Sequence, residues 1–195
     1  MISFELFGPG KRLPADYWTR DVPGARRTEI EVGPGSGRFL IEAAERDRAT
    51  VWVGLEIRTG LARTLMERSD LPTNLRIHHC DARWVIEHLV APASIDAFHL
   101  YFPDPWWKKR HQKRSFLAGP TIEALVKCVK PGGVVYLLTD VEAIFSEAAA
   151  RLCAAGLRQE PWSRVADDPA QSSYERKYRR QGRRLFQAKF IRSAG

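Results

Sequence analysis

The sequence predicts an α/β fold: a parallel sheet with helices on both faces. Two observations carry this. Apolar runs of strand length alternate with stretches whose apolar residues recur three and four positions apart, from Thr28 through Leu152. The intervening stretches are long enough to carry a crossover helix, as neighbouring parallel strands require.

The first strand is Thr28-Glu29-Ile30-Glu31-Val32, closed by a glycine turn from Gly33 to Gly37. Phe39, Leu40, Ala43 and Ala44 then repeat at helical spacing. Val51 to Leu55 is the second strand, followed by a helix with Leu61, Leu65 and Met66. Leu75 to His79 is the third, with a short helix after Asp81. Ile95 to Phe102, rich in β-formers, is the fourth. Ile122, Leu125, Val126 and Val129 mark one face of a helix that Pro131-Gly132-Gly133 stops. Val134 to Thr139 is the fifth strand, and a helix with Ile144, Phe145, Ala148 and Leu152 closes the series. The 195 residues are read as one domain, with an N-terminal segment 1–27, a core 28–160 and a basic C-terminal part 161–195.

Hydrophobic residues make up 44% and charged residues 28%, an ordinary globular balance. No apolar run reaches the roughly 20 residues needed to cross a bilayer, and the start carries no secretion signal. Cys80, Cys128 and Cys153 form no CxxC pair and suit a reducing cytoplasm as small buried hydrophobes. His78, His79 and His111 show no metal-ligand spacing, so no metal site is expected.

The charge is unevenly placed. Of 31 basic residues, five lie between Lys108 and Arg114 and eight between Arg176 and Arg192. The rest of the chain holds 18 basic against 23 acidic residues. A basic run is commonly just a solvated face. Two of them on an otherwise acidic body favour a polyanion, with nucleic acid the commonest.

In an open parallel sheet the ligand lies at the carboxyl ends of the strands. The first strand ends in Glu31-Val32-Gly33-Pro34-Gly35-Ser36-Gly37. Glycines let the backbone turn tightly and a ligand approach closely, yet such a loop alone occurs in several nucleotide-binding folds. Here Arg38 stands where a dinucleotide fingerprint has its third glycine. Glu31, two residues before Gly33, would repel a pyrophosphate at that helix start. S-adenosylmethionine has no phosphate and carries a sulfonium and an ammonium, which an acid attracts. Glu56 ends the second strand, placed to accept from both ribose hydroxyls, and Asp81 follows the third, placed to accept from an adenine amino group. Asp81 also has the position of a helix cap.

The loop after the fourth strand reads Phe102-Pro103-Asp104-Pro105-Trp106-Trp107-Lys108-Lys109-Arg110-His111. Prolines on both sides stiffen the backbone that carries Asp104. A rigidly held group is what near-attack alignment needs. Trp106 and Trp107 are core anchors or, either one, a support for a splayed base. The basic run would then meet phosphates beside it.

These pieces, together with Gly54-Leu55-Glu56-Ile57-Arg58, Cys80-Asp81-Ala82, Leu138-Thr139-Asp140 and Ser172-Ser173-Tyr174-Glu175-Arg176-Lys177-Tyr178, closely resemble the bacterial tRNA (guanine-N7-)-methyltransferase family. The resemblance runs from about Glu29 to the C-terminus. It implies a Rossmann-like class I methyltransferase with a seven-stranded, mostly parallel sheet, S-adenosylmethionine as donor, and the variable-loop guanine of tRNA as substrate. By position, Glu31, Gly33, Gly35, Gly37, Glu56, Asp81 and Asp104 would hold the cofactor, with Asp104 also catalytic. Lys108, Asp140, Ser172, Ser173, Tyr174 and Glu175 would contact the target nucleotide. Two departures stand out: Ser172 where the family usually has threonine, and Pro34 where it often has an aromatic residue.

Guanine N7 has a free lone pair and no proton to lose, so alignment and electrostatics would carry catalysis. The expected setting is cytoplasmic, with tRNA as partner, no membrane, no obligate protein partner, and a monomer or homodimer. A methyltransferase for another RNA or a protein shares the glycine loop and the strand-end acids. A non-catalytic RNA-binding protein on this scaffold is disfavoured by the intact carboxylates. A nicotinamide dehydrogenase is disfavoured by the glycine spacing.

Overall fold

The structure, a computed structural model, describes residues 12–103, 120–164, 168 and 170–194. Its seven strands are β1 (Arg27–Val32), β2 (Thr50–Glu56), β3 (Leu75–His79), β4 (Ile95–Tyr101), β5 (Val129–Thr139), β6 (Leu157–Glu160) and β7 (Phe186–Arg192). The helices are α1 (Arg38–Arg46), α2 (Thr59–Met66), α3 (Ala82–His88), α4 (Thr121–Cys128), α5 (Glu142–Ala154) and α6 (Ser173–Arg180).

The strands lie in the order β3-β2-β1-β4-β5-β7-β6. Neighbours from β3 to β5 are parallel, and β7 runs antiparallel to both β5 and β6. The chain steps outward from β1 to β3 and then returns to place β4 on the other side of β1. The switch opens a crevice at the carboxyl ends of β1 and β4.

Alternation of side chains gives the sheet two apolar faces. On one, Val53, Leu55, Phe98 and Leu137 pack with Ile86 of α3, Leu125 of α4 and Leu152 of α5. On the other, Trp52, Tyr101 and Leu138 pack with Phe39 and Leu40 of α1 and Leu65 of α2. Every residue of β2 is buried, as expected for a strand covered on both sides.

The irregular start contributes to the core. Tyr17, Trp18 and Val22 are buried with the α3 face. Leu13 N–H donates to Leu89 O at 2.8 Å, while Arg12 donates to Val90 O at 2.6 Å and Glu87 O at 2.9 Å. Arg12 thus satisfies carbonyls left open at the end of α3.

Three details differ from the sequence expectations. Val129 is not on the helix face: α4 ends at Cys128, and Val129 turns extended to pair with Ile95. The next matched pair is Ala97 with Val134, so Lys130 to Gly133 form an excursion within β5 rather than a stop before it. Second, β4 ends at Tyr101, because Phe102 adopts a left-handed conformation with φ +50 before Pro103. Third, two strands and a helix lie beyond the five strands read. The basic part 161–195 supplies β7, which is inserted between β5 and β6 and buries Ala188 and Phe190.

Candidate active site

Glu31 comes near the end of β1 and Glu56 is the last residue of β2, on the neighbouring strand. Both are enclosed, at 2% and 1% exposure. Glu56 shapes the glycine loop. One oxygen accepts the Gly35 N–H at 2.9 Å, and the other accepts the Arg58 N–H at 2.9 Å. Gly33 N–H donates to Leu55 O and Gly37 N–H to Pro34 O, both at 2.9 Å, which closes the turn over the strand end.

Gly33, Gly35 and Gly37 have φ of +68, +60 and +72. The requirement is sharpest at Gly37, where a Cβ would lie 2.6 Å from Leu65 Cδ2. Gly54 on β2 is needed for a different reason. A Cβ there would meet Leu40 Cδ1 at 2.7 Å, Ile77 Cδ1 at 2.9 Å and Pro34 Cγ at 3.0 Å. Pro34 is therefore the small buried lid that seats the loop on β2.

Glu31 is the anomalous group. Its Oε2 is buried and has no hydrogen-bond partner among the described residues. Burial, opposed by the Arg164 charge and reinforced by that of Glu56, pushes its carboxyl up to about 8. A buried carboxylate left this way is costly, and a cation arriving in the crevice would relieve it. A pyrophosphate would aggravate it. The residues present fit a cationic ligand.

Asp81 caps α3. Its side chain accepts from Arg83 N–H at 2.9 Å and from the Arg83 guanidinium at 2.7 and 3.2 Å. The Arg83 hydrogen bond holds it below the usual carboxylate range. About a third of the side chain stays exposed, so it keeps acceptor capacity beside its cap role.

The tail helix α6 is lashed to three strand ends. Ser173 Oγ lies 2.7 Å from Ser36 Oγ on the glycine loop. Tyr174 and Tyr178 ring against Phe102 after β4, at centroid distances of 6.2 and 5.4 Å. Asp140, after β5, pairs with Arg183 at 2.7 Å, and that guanidinium lies over Tyr178. Asp140, Ser173 and Tyr174 are thereby brought to the rim of the crevice, with Tyr174 45% exposed.

Ser172 and Glu175 face inward instead. The Ser172 hydroxyl caps α6 by accepting the Glu175 N–H at 3.1 Å. Glu175 is completely buried, paired to Arg164 at 3.0 Å and to Arg179 at 2.9 Å. Both were expected against the target nucleotide; here they build the helix start that presents Ser173 and Tyr174. Asp104 and Lys108, with Trp106, Trp107 and the 108–114 basic run, lie outside the described residues.

Sequence reasoning missed Arg164. It is 8% exposed, donates to Glu175 and to Tyr101 Oη at 3.1 Å, and lies over the rings of Phe39, Tyr101 and Trp162. It also missed a buried pair, His99 Nε2 to Glu29 Oε2 at 2.8 Å, in the wall of a cavity of about 530 Å³ behind α1. An arginine in an irregular stretch and an acid inside a strand carry no local mark of either role. Among the described residues no cluster of three metal-type ligands occurs, and no helix is long and apolar enough to cross a membrane.

A sheet in this order, with acids at successive strand ends and a phosphate-averse glycine loop, defines a Rossmann-like class I methyltransferase. Solved structures agree on the fold. KamB, a 16S rRNA methyltransferase, superposes with a TM-score of 0.65 at 13% identity, covering 91% of this chain and 93% of that one. A 16S rRNA (adenine(1408)-N(1))-methyltransferase from Catenulisporales acidiphilia, solved with its cosubstrate SAM, gives 0.60 at 18% identity over 93% and 92%. In sequence, a family described as "Putative methyltransferase" matches residues 25–188. The tRNA (guanine-N(7)-)-methyltransferase of Myxococcus xanthus is 32% identical over 94% of this chain and 92% of its own length. That of Shewanella oneidensis is 36% identical over 66% of this chain and 56% of its own. The chain belongs to the tRNA (guanine-N(7)-)-methyltransferase family.

Proposed function

We propose that the protein transfers a methyl group from S-adenosylmethionine to N7 of a guanine in tRNA. What carries the substrate is the 32% identity that runs almost end to end with the Myxococcus enzyme. What supports the donor is a Glu31 oxygen that is buried without a hydrogen-bond partner among the described residues, on the strand next to the one whose Glu56 holds the glycine loop in shape.

The donor supplies an electrophilic methyl on a sulfonium. The chain's own residues bind, orient and exclude water. Glu31 meets the donor's cationic end, and that charge favours the ionised form of a carboxyl whose burial otherwise favours the proton. Glu56, already accepting two backbone N–H groups, has lone pairs left for ribose hydroxyls. Asp81 offers its exposed edge to the adenine. Asp140, Ser173 and Tyr174 line the approach of the nucleotide, and Lys108, by its position in the family motif, is assigned to the same nucleotide. Ser172 and Glu175 act as positioning residues through α6. Asp104, placed by sequence between two prolines, steadies the charge that develops on the guanine ring as N7 attacks. The protein acts in the cytoplasm without an obligate protein partner.

Incubating the protein with unmodified tRNA and labelled S-adenosylmethionine, then analysing the nucleosides by mass, tests this reading. 7-Methylguanosine is expected. A label on another base or none on RNA would overturn it. Asp104→Ala should cut turnover far more than tRNA binding; equal losses in both refute the catalytic role.

A further inference from the structure

The charge of the C-terminal tail separates into two kinds of cation. Arg179 is spent on Glu175, Arg183 on Asp140, and Lys189 on Glu160 at 3.1 Å. Arg192 donates to the carbonyls of Val126, Lys127 and Val129 at the end of α4. These four hold the fold together.

Of the other four, Arg184 lies over the Phe186 ring, and Arg176, Lys177 and Arg180 converge. On α6 the positions 173, 176, 177 and 180 follow helical spacing and share one face, opposite to Glu175 and Arg179. That face meets the start of α1 across a groove of about 380 Å³, lined by Arg38, Ser173, Arg176, Lys177, Arg180 and Gln181. Four cations line it. Among the described residues Glu42 pairs with Arg38 at 2.9 Å and with Arg176 at 3.3 Å, one carboxylate shared by two guanidinium groups. Lys177 and Arg180 are exposed. One end of the groove is Ser173, whose hydroxyl touches Ser36 of the glycine loop. The groove thus leads away from the mouth of the crevice itself.

We infer that this groove seats a backbone phosphate of the substrate RNA, next to the nucleotide held in the crevice. The inference rests on the tRNA reading above. A guanidinium fork grips phosphate oxygens with two N–H groups, a lysine adds a point charge, and Ser173 and Gln181 add neutral donors. Arg38 was not in either basic run, and only the fold brings it to the tail.

Binding of an unmodified tRNA transcript would be followed by fluorescence anisotropy across a salt series from about 50 to about 200 mM KCl. The variants are Lys177→Ala/Arg180→Ala, Arg38→Ala, and Arg68→Ala as a control. Arg68 pairs with Asp70 on an exposed turn outside the groove. For each phosphate contact removed, the log–log salt slope should become shallower by about 0.7–0.9, and the affinity lost over that salt range should shrink by roughly threefold. S-adenosylmethionine affinity, measured on the same preparations, should match the unaltered protein and reports that the fold is intact. Arg180→Lys should keep the slope and weaken binding only slightly. An unchanged slope in the groove variants, or an equal change in Arg68→Ala, overturns the inference while the unaltered protein still methylates tRNA. If the unaltered protein neither binds nor methylates tRNA, the functional reading itself has failed and the groove assignment with it.

Discussion

Removing the carboxylate of Glu175 tests how the tail helix is held. Glu175 is fully buried and joined to Arg164 and Arg179. Arg179 is partly exposed and turns to solvent when its partner goes, but Arg164 has 8% exposure and stays behind. Breaking a buried pair from one side costs roughly 3–5 kcal/mol, because a charge is left without compensation. Arg164 keeps the Tyr101 hydroxyl, three aromatic faces and Asp168 at 3.9 Å, which puts the expectation near the lower end. For Glu175→Ala we expect a loss of about 3 kcal/mol, or roughly 6–12 °C in Tm for a chain of this size. Urea unfolding measures it. The exposed Arg183 to Asp140 pair is the reference: Arg183→Ala should cost about 1 kcal/mol or less. A double change, Arg164→Met with Glu175→Leu, removes both charges and should recover much of the loss, since apolar replacement of a whole buried pair is often neutral. Should Glu175→Ala cost no more than Arg183→Ala, or the double variant be worse than the single, the unpaired-charge reasoning is refuted.

Two further expectations follow from the crevice. Glu31 has its carboxyl raised from 4.5 to about 8, so between those values the folded state holds a proton that the unfolded chain has released. Stability should therefore decline as pH rises from about 4.5 to about 8, and Glu31→Gln should flatten that part of a urea-midpoint profile. S-adenosylmethionine selects the ionised form, so its affinity should climb by up to about tenfold per pH unit toward pH 8 and then level, with proton release seen by calorimetry; a flat profile counts against Glu31 as the cation's partner. In the glycine loop, Gly37→Ala should destabilise by about 1–2 kcal/mol from the left-handed backbone alone, plus the displacement of Leu65. Gly33→Ala, with nothing within 4 Å of its Cβ, should cost only the backbone part, and equal unfolding midpoints for the two would contradict this.

The features legible in sequence are those written within a few residues. The five strands from β1 to β5 announce themselves by apolar runs, and the loop between Glu31 and Gly37 by its glycines. Glu56 was legible as a strand-end acid, but its work of holding the Gly35 and Arg58 N–H groups was not, since those partners are placed by the turn. β6 and β7 escaped for a physical reason. Leu157–Glu160 has one buried residue in four, and Phe186–Arg192 interleaves lysine and arginine with its apolar positions. β7 is recruited by β5, which offers an edge that a charged strand can complete with its backbone, and β6 then pairs with β7.

Arg164, Glu175 and Arg38 show the same limit at the level of charge. By composition the tail is a run of cations suited to a polyanion. In the fold, four of its eight basic residues neutralise carboxylates or cap carbonyls, and a fifth, Arg176, shares Glu42 with Arg38 from α1. Sequence sums charge along the chain, whereas RNA meets the charge left after each buried or paired group has been satisfied. That residue is concentrated where α6 faces α1, because Glu175 turns the other face of the helix inward. The buried Glu175 carboxylate that anchors α6 therefore also decides which of the helix's cations point outward.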